Sequence, residues 1–205
     1  MNSRKNPASN WKLYCIIDKV ARRNRSPEAT ALSLFKTGVD VIQLRYKNLP
    51  SYELLAIAKR IRKAAKRYGK TLLINDRIDV AVSSGAEGVH LGSGDLPLET
   101  AHRLLGKRAI VGKTVHTPGE AKKIRREKVN YIGVGPIFTT PLKKNLKAKG
   151  VGFIKKIKQH TSVPVFAIGG INKQNVKLAL GGGAQGVCVA RASSHAKALL
   201  KEIKK

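Results

Sequence analysis

Eight short apolar runs, rich in β-branched residues, recur along the chain, and the stretches between them carry helical apolar spacing. The runs begin near Leu13 (LYCIID), Val41 (VIQLR), Thr71 (TLLIND), Gly88 (GVHLG), Ala109 (AIVGK), Tyr131 (YIGVG), Val165 (VFAIGG) and Gly186 (GVCVA). Start-to-start spacings of 17 to 34 residues each hold one strand and a crossover helix. Runs apolar on both faces belong to a parallel sheet covered by helices. The expected fold is an α/β, single-domain (β/α)8 TIM barrel, with a doubly wound open sheet as the runner-up.

Helix signals fill the gaps. Ser26-Pro27-Glu28 reads as an N-cap followed by proline at the first helical position, and an amphipathic helix starts at Ser51 and ends near Gly69. Further helices begin at Pro97 and Pro118, and residues 192–205 give a last one with Ala196, Leu199, Leu200 and Ile203 as its apolar stripe. At 205 residues one core is expected, divided here as a basic N-terminal extension, 1–10, and a barrel domain, 11–205. No apolar run approaches the roughly 18 residues of a membrane span. Cys15 and Cys188 both sit inside apolar runs as small buried hydrophobes, so the expectation is a soluble cytoplasmic protein without disulfides.

The charge is lopsided: 41 Lys plus Arg against 12 Asp plus Glu, a formal +29. Such a surface attracts anions, and a basic nucleic-acid-binding protein is the reading from a different class. The cations, however, lie along helices as solvated faces, and only 5% of residues are aromatic, too few for base stacking. The partners expected are phosphorylated small molecules, with no specific nucleic acid and no membrane. The sequence is silent on oligomeric state.

In a barrel, chemistry belongs at the C-terminal strand ends, where the loops converge. Asp18, Asp76 and Asp95 fall just past strand ends, where carboxylates could hold a Mg2+ bound chiefly through substrate phosphates; a helix-capping role for Asp76 and a turn-capping role for Asp95 compete. Arg45 and Lys47 alternate with Leu44 and Tyr46, so they share one side of a strand end, and a fork plus a point charge suits a diphosphate. Ile168-Gly169-Gly170-Ile171-Asn172 stands where barrels commonly bind phosphate. The spacing GxGxxG at 181–186 precedes a strand and therefore reads as a loop. His90, within a strand, reads as a satisfied core residue. His116, at the mouth, is either a general acid or base or a helix-leading structural residue. Lys113 raises a Schiff-base lyase as a further possibility.

Six segments taken in order are familiar: QLRYK at 43–47, INDRIDVA at 74–81, GVHLGSGDLPL at 88–98, VGKTVHT at 111–117, YIGVGPIFTTPLKK at 131–144 and PVFAIGGIN at 164–172. Through them the chain, from about Leu13 to Ala192, resembles the thiamine-phosphate synthase family, including its thiazole tautomerase branch. The resemblance implies a transferase that joins hydroxymethylpyrimidine diphosphate to thiazole phosphate, with Mg2+ as cofactor. It assigns Gln43, Arg45, Lys47, Asn75 and Thr114 to the pyrimidine diphosphate, Asp76 and Asp95 to Mg2+, and Lys143 to the leaving pyrophosphate. Thr140, Gly169, Gly170 and the start of the last loop would hold the thiazole phosphate. Arg45, Lys47 and Lys143 would be the catalytic cations of a dissociative substitution.

Two departures stand out. Thr140-Pro141-Leu142-Lys143 lacks one hydroxyl of the family's Thr-x-Thr-Lys, and Arg191 replaces a frequent Ser, which could put a guanidinium on the same phosphate. GKTVH at 112–116 and KKNLKAKGVG at 143–152 lean toward the tautomerase branch, in which His116 would move the proton. Intact Asn75, Asp76 and Asp95 favour the synthase.

Overall fold

Five residues of the first strand, β1 (Leu13–Ile17), show how the molecule is filled. Leu13, Cys15 and Ile17 belong to the core between sheet and helices, whereas Tyr14 and Ile16 point into a second, inner core. The computed structural model describes residues 6–19, 25–124, 129–141 and 146–204. Seven more strands follow: β2 (Val41–Leu44), β3 (Thr71–Asn75), β4 (Gly88–Leu91), β5 (Ile110–Val115), β6 (Tyr131–Val134), β7 (Val165–Ile168) and β8 (Gly186–Val189). All pair in parallel with their chain neighbours, and β8 returns to β1, with Tyr14 opposite both Val41 and Cys188, so the barrel closes and the open sheet is excluded.

The outer layer is α1 (Pro27–Thr37), α2 (Ser51–Arg67), α3 (Ile78–Ser84), α4 (Leu98–Leu105), α5 (Pro118–Ile124), α6 (Val151–Lys158), α7 (Val176–Gly181) and α8 (Ala196–Ile203). Helix α1 begins as its sequence requires: Ser26 Oγ accepts the Ala29 N–H at 3.1 Å and Pro27 occupies the first turn. Three boundaries differ from expectation. Helix α4 starts at Leu98, with Pro97 as its N-cap. The fifth strand starts at Ile110, one residue late, and the stretch Arg191–His195 is a 3-10 segment ahead of α8. There the Ser193 N–H turns back to the Ala190 carbonyl at 3.1 Å, which buries Ser193 and tightens the exit from β8. Among the described residues no helix is long and apolar enough to cross a membrane.

The bottom of the barrel is closed in two ways. Trp11, Tyr14, Tyr131 and Phe166 pack edge-on or tilted, with ring centroids 5.5–6.1 Å apart, against a 3-10 turn at Pro7–Asn10 whose Ala8 is fully buried. The strand ends themselves would leave orphan N–H groups. Acceptors placed just before β2, β4 and β6 take them: Asp40 Oδ2 from Lys12 and Leu13 (2.8 and 3.1 Å), Glu87 Oε2 from Leu72 (2.9 Å), Asn130 Oδ1 from Val111 (2.8 Å). A solid floor leaves the opposite end as the place where a ligand can enter.

Space inside the barrel is tight at Gly112. A Cβ there would lie 2.1 Å from Tyr131 Cζ, so the glycine is what admits that ring. Gly112→Ala should lower stability by at least about 2 kcal/mol, read as a reduced urea midpoint with an unchanged slope. An unchanged midpoint would contradict the packing described.

Candidate active site

Strand β3 ends in an unusual turn. The Asp76 N–H continues the ladder to the His90 carbonyl at 2.9 Å, and the Arg77 N–H then closes back on the Asn75 carbonyl at 2.7 Å. Asp76 sits in the middle at φ 62, the left-handed region, where Asp and Asn are among the few side chains tolerated. Opposite, on the loop after β4, the Gly92 N–H donates to Asp95 Oδ2 at 2.6 Å. The two carboxyl groups share a hydrogen bond. Burial and this acidic neighbour push Asp76 above the ordinary carboxylate range, against the pull of Lys47. Burial raises Asp95 too, but its bonds to Asp76 and to the Gly92 N–H, with the field of Lys47, outweigh that and hold it low.

Lys47 reaches Asp76 Oδ2 at 3.2 Å. Arg45 stays in the ladder through its N–H to the Ile17 carbonyl (2.9 Å), on the same strand face as inner-core Val41 and buried Gln43. The structure thus brings Arg45, Lys47, Asp76 and Asp95 to adjoining strand ends. Asn75, opposite His90 in the β3–β4 register, completes the row. Lys143 and Leu142 lie outside the described residues.

Below this rim runs a chain of polar side chains contributed by five strands. Gln43 Nε2 contacts the Tyr14 hydroxyl; that hydroxyl meets Tyr131 Oη at 2.9 Å; Tyr131 Oη meets His90 Nδ1 at 2.9 Å; and His90 Nε2 meets Thr114 Oγ1 at 2.8 Å. Burial holds both phenols far above their usual range, so they stay protonated. His90 is the satisfied residue its sequence context implied. Tyr14 and Tyr131 escaped sequence reasoning because each reads as one more apolar residue in a strand; the signal was a hydroxyl on the inward-facing alternation.

The remaining loops pack against each other around the mouth. The His116 N–H is held by Glu120 Oε2 at 2.8 Å, and its carbonyl accepts from Lys149 Nζ at 2.5 Å, whose ammonium also lies 4.3 Å from the Phe153 ring centroid. Lys149, which the sequence reading placed only within the segment 143–152 and gave no role, ties the loop after β5 to that after β6. Gly169 and Gly170 have φ 96 and 65, and a Cβ on either would collide with Pro136 (2.5 Å) or the Thr139 carbonyl (2.4 Å). These glycines therefore let the loop carrying Thr140 lie across the end of β7. Among the described residues neither of their N–H groups is taken by a carbonyl. Arg191 is exposed at the head of the 3-10 segment after β8. Lys113 falls elsewhere: two residues from both Val111 and Val115, which lie in the helix-facing core, it shares their outer strand face. The 181–186 glycine run spans the end of α7, the turn after it and the first residue of β8.

A family model described as thiamine monophosphate synthase matches residues 13–193. The thiamine-phosphate synthase of Syntrophomonas wolfei is 37% identical over 198 residues, covering 96% of this chain and 95% of its own. That of Gloeobacter violaceus is 39% identical over 155 residues; the match covers 76% of this chain and 46% of that longer protein. In three dimensions the chain resembles a thiamine phosphate pyrophosphorylase from Pyrococcus furiosus, with a TM-score of 0.85, 30% identity, and coverage of 96% and 97%.

The raised Asp76 carboxyl has a consequence for stability. A group whose proton is held more tightly in the folded state destabilises that state as pH climbs through its folded value. In EDTA, Asp76→Asn, which keeps an amide to donate to Asp95, should melt at or above the parent temperature at pH 7.5. The gap should close below about pH 3, where the carboxyl is protonated in the folded and in the unfolded state. A parent protein that melts clearly higher at pH 7.5 would contradict the direction assigned to Asp76.

Proposed function

The chain belongs to the thiamine monophosphate synthase family, and from that premise we propose that it is a transferase coupling a pyrimidinylmethyl diphosphate to a thiazole phosphate, releasing pyrophosphate. The observation that carries the reading is the convergence of Arg45, Lys47, Asp76 and Asp95 on adjoining strand ends above a closed floor. The other functions considered, nucleic-acid binding and Schiff-base chemistry, make no use of that convergence.

The reaction breaks the C–O bond between the pyrimidinylmethyl carbon and the diphosphate, and both electrons leave with oxygen. The resulting cation is captured by the thiazole nitrogen lone pair, so no protein nucleophile is consumed. What the protein must supply is preorganised positive charge around the departing group. Arg45 offers a planar fork and Lys47 a point charge; the family resemblance adds Lys143. Asn75, Gln43 and Thr114 would orient the pyrimidine, and the Gly169–Gly170 turn with Thr140 and Arg191 would hold the thiazole phosphate.

The donor set fits Mg2+. Two carboxylates stand side by side, one kept reluctant to ionise, and among the described residues no cluster of three or more His, Cys, Asp or Glu forms a complete protein cage. That is the environment of a hard cation held by one or two carboxylates and substrate phosphates. When bound, Mg2+ would neutralise charge on the diphosphate oxygens. A reducing cytoplasm suits Cys15 and Cys188, both buried and free.

Pyrophosphate release from purified protein should require both phosphorylated precursors and Mg2+. Asp95→Ala should lower kcat/KM at least about 100-fold in a protein that remains folded, whereas His116→Ala should stay within about threefold. No release from folded parent protein, or a collapse of coupling in His116→Ala, would shift the assignment toward the tautomerase.

A further inference from the structure

The polar chain beneath the rim has a direction. Gln43 donates through Nε2, so the Tyr14 oxygen is an acceptor there. Tyr14 has one proton to place, and Tyr131 Oη at 2.9 Å is the acceptor the barrel offers it; the reverse arrangement would strand a buried hydroxyl proton. Tyr131, having accepted, donates to His90 Nδ1. In the neutral imidazole that nitrogen is then bare, the proton resides on Nε2, and Nε2–H donates to Thr114 Oγ1. Carried in this direction, the chain ends at Thr114, whose own proton is left for the mouth.

We propose that Tyr14, Tyr131 and His90 are positioning residues that fix the Thr114 hydroxyl as a hydrogen-bond donor to the pyrimidine substrate. The inference rests on the reading that Thr114 meets the pyrimidine diphosphate. The three residues act by denying Thr114 the option of donating inward to His90. A site built this way favours a substrate atom with a lone pair and disfavours one bearing a hydrogen at the same place. The surroundings support such a role. Gly112 and Gly133 clear the space for Tyr131 and His90, and a Cβ at Gly133 would crowd His90 Cε1 at 3.3 Å. The His90 ring also lies against the Tyr131 ring, with centroids 5.6 Å apart and an interplanar angle of 29°, which limits its reorientation.

The test uses full-length protein with 15N-labelled histidine. In the parent, the His90 nitrogens should show the Nε2–H tautomer, with Nδ1 as an unprotonated acceptor. Tyr131→Phe keeps the ring and removes the hydroxyl; it should erase that bias and raise KM for the pyrimidine diphosphate about three- to tenfold, with kcat within about twofold. Tyr14→Phe breaks the chain one link earlier and should act in the same direction; it serves if Tyr131→Phe does not fold. An Nδ1–H tautomer in the parent overturns the proposal. So does an unchanged KM in the folded tyrosine variants while Thr114→Val raises it. If Thr114→Val itself leaves KM unchanged, the failure belongs to the assignment of Thr114 to the pyrimidine.

Discussion

The Tyr131 hydroxyl is where two incompatible demands on the barrel interior are reconciled. Eight strands of this length enclose a lumen that must be filled, and aromatic rings fill it efficiently. The same lumen opens on a mouth that needs oriented polar groups. Tyr131 packs its ring against Trp11, Tyr14 and Phe166 and sends its oxygen to Tyr14 and His90, so one side chain ends the apolar floor and starts the polar layer. Remove the ring and the floor has a hole; remove the oxygen and His90 loses the partner that sets its tautomer.

Above that layer the protein tolerates local cost for geometry. Asp76 is held at a left-handed φ with its carboxyl beside a second acid, an arrangement that a fold selected for stability alone would not retain. Neighbouring Lys47 offsets part of the charge. The combination makes sense when a cation and a diphosphate complete it, since each added charge then meets a group already waiting for it.

The barrel was legible in the sequence because its rules are periodic. Strands apolar on both faces, caps such as Ser26-Pro27, and residues at strand ends all reflect local chemistry, and rim residues such as Arg45, Lys47, Asp76 and Asp95 could be found from their places just past the strand ends. The features that escaped were pairwise. No single-strand pattern says that Tyr14 on β1 meets Tyr131 on β6, or that Lys149 reaches back to the His116 carbonyl; those depend on how the sheet closes and how loops fold over one another. Glycines were half-legible. Gly169 and Gly170 stood out as a phosphate-type turn, but the approach of Pro136 and the Thr139 carbonyl, which also demands glycine there, belongs to a loop far away in sequence.

The acceptors on the barrel floor divide the chain into strand pairs. Asp40, Glu87 and Asn130 each stand just ahead of an even-numbered strand and satisfy an N–H at the start of the odd-numbered strand before it. A cut in the chain after β2, β4 or β6 therefore parts none of these donors from its acceptor, whereas a cut after β1, β3 or β5 parts one.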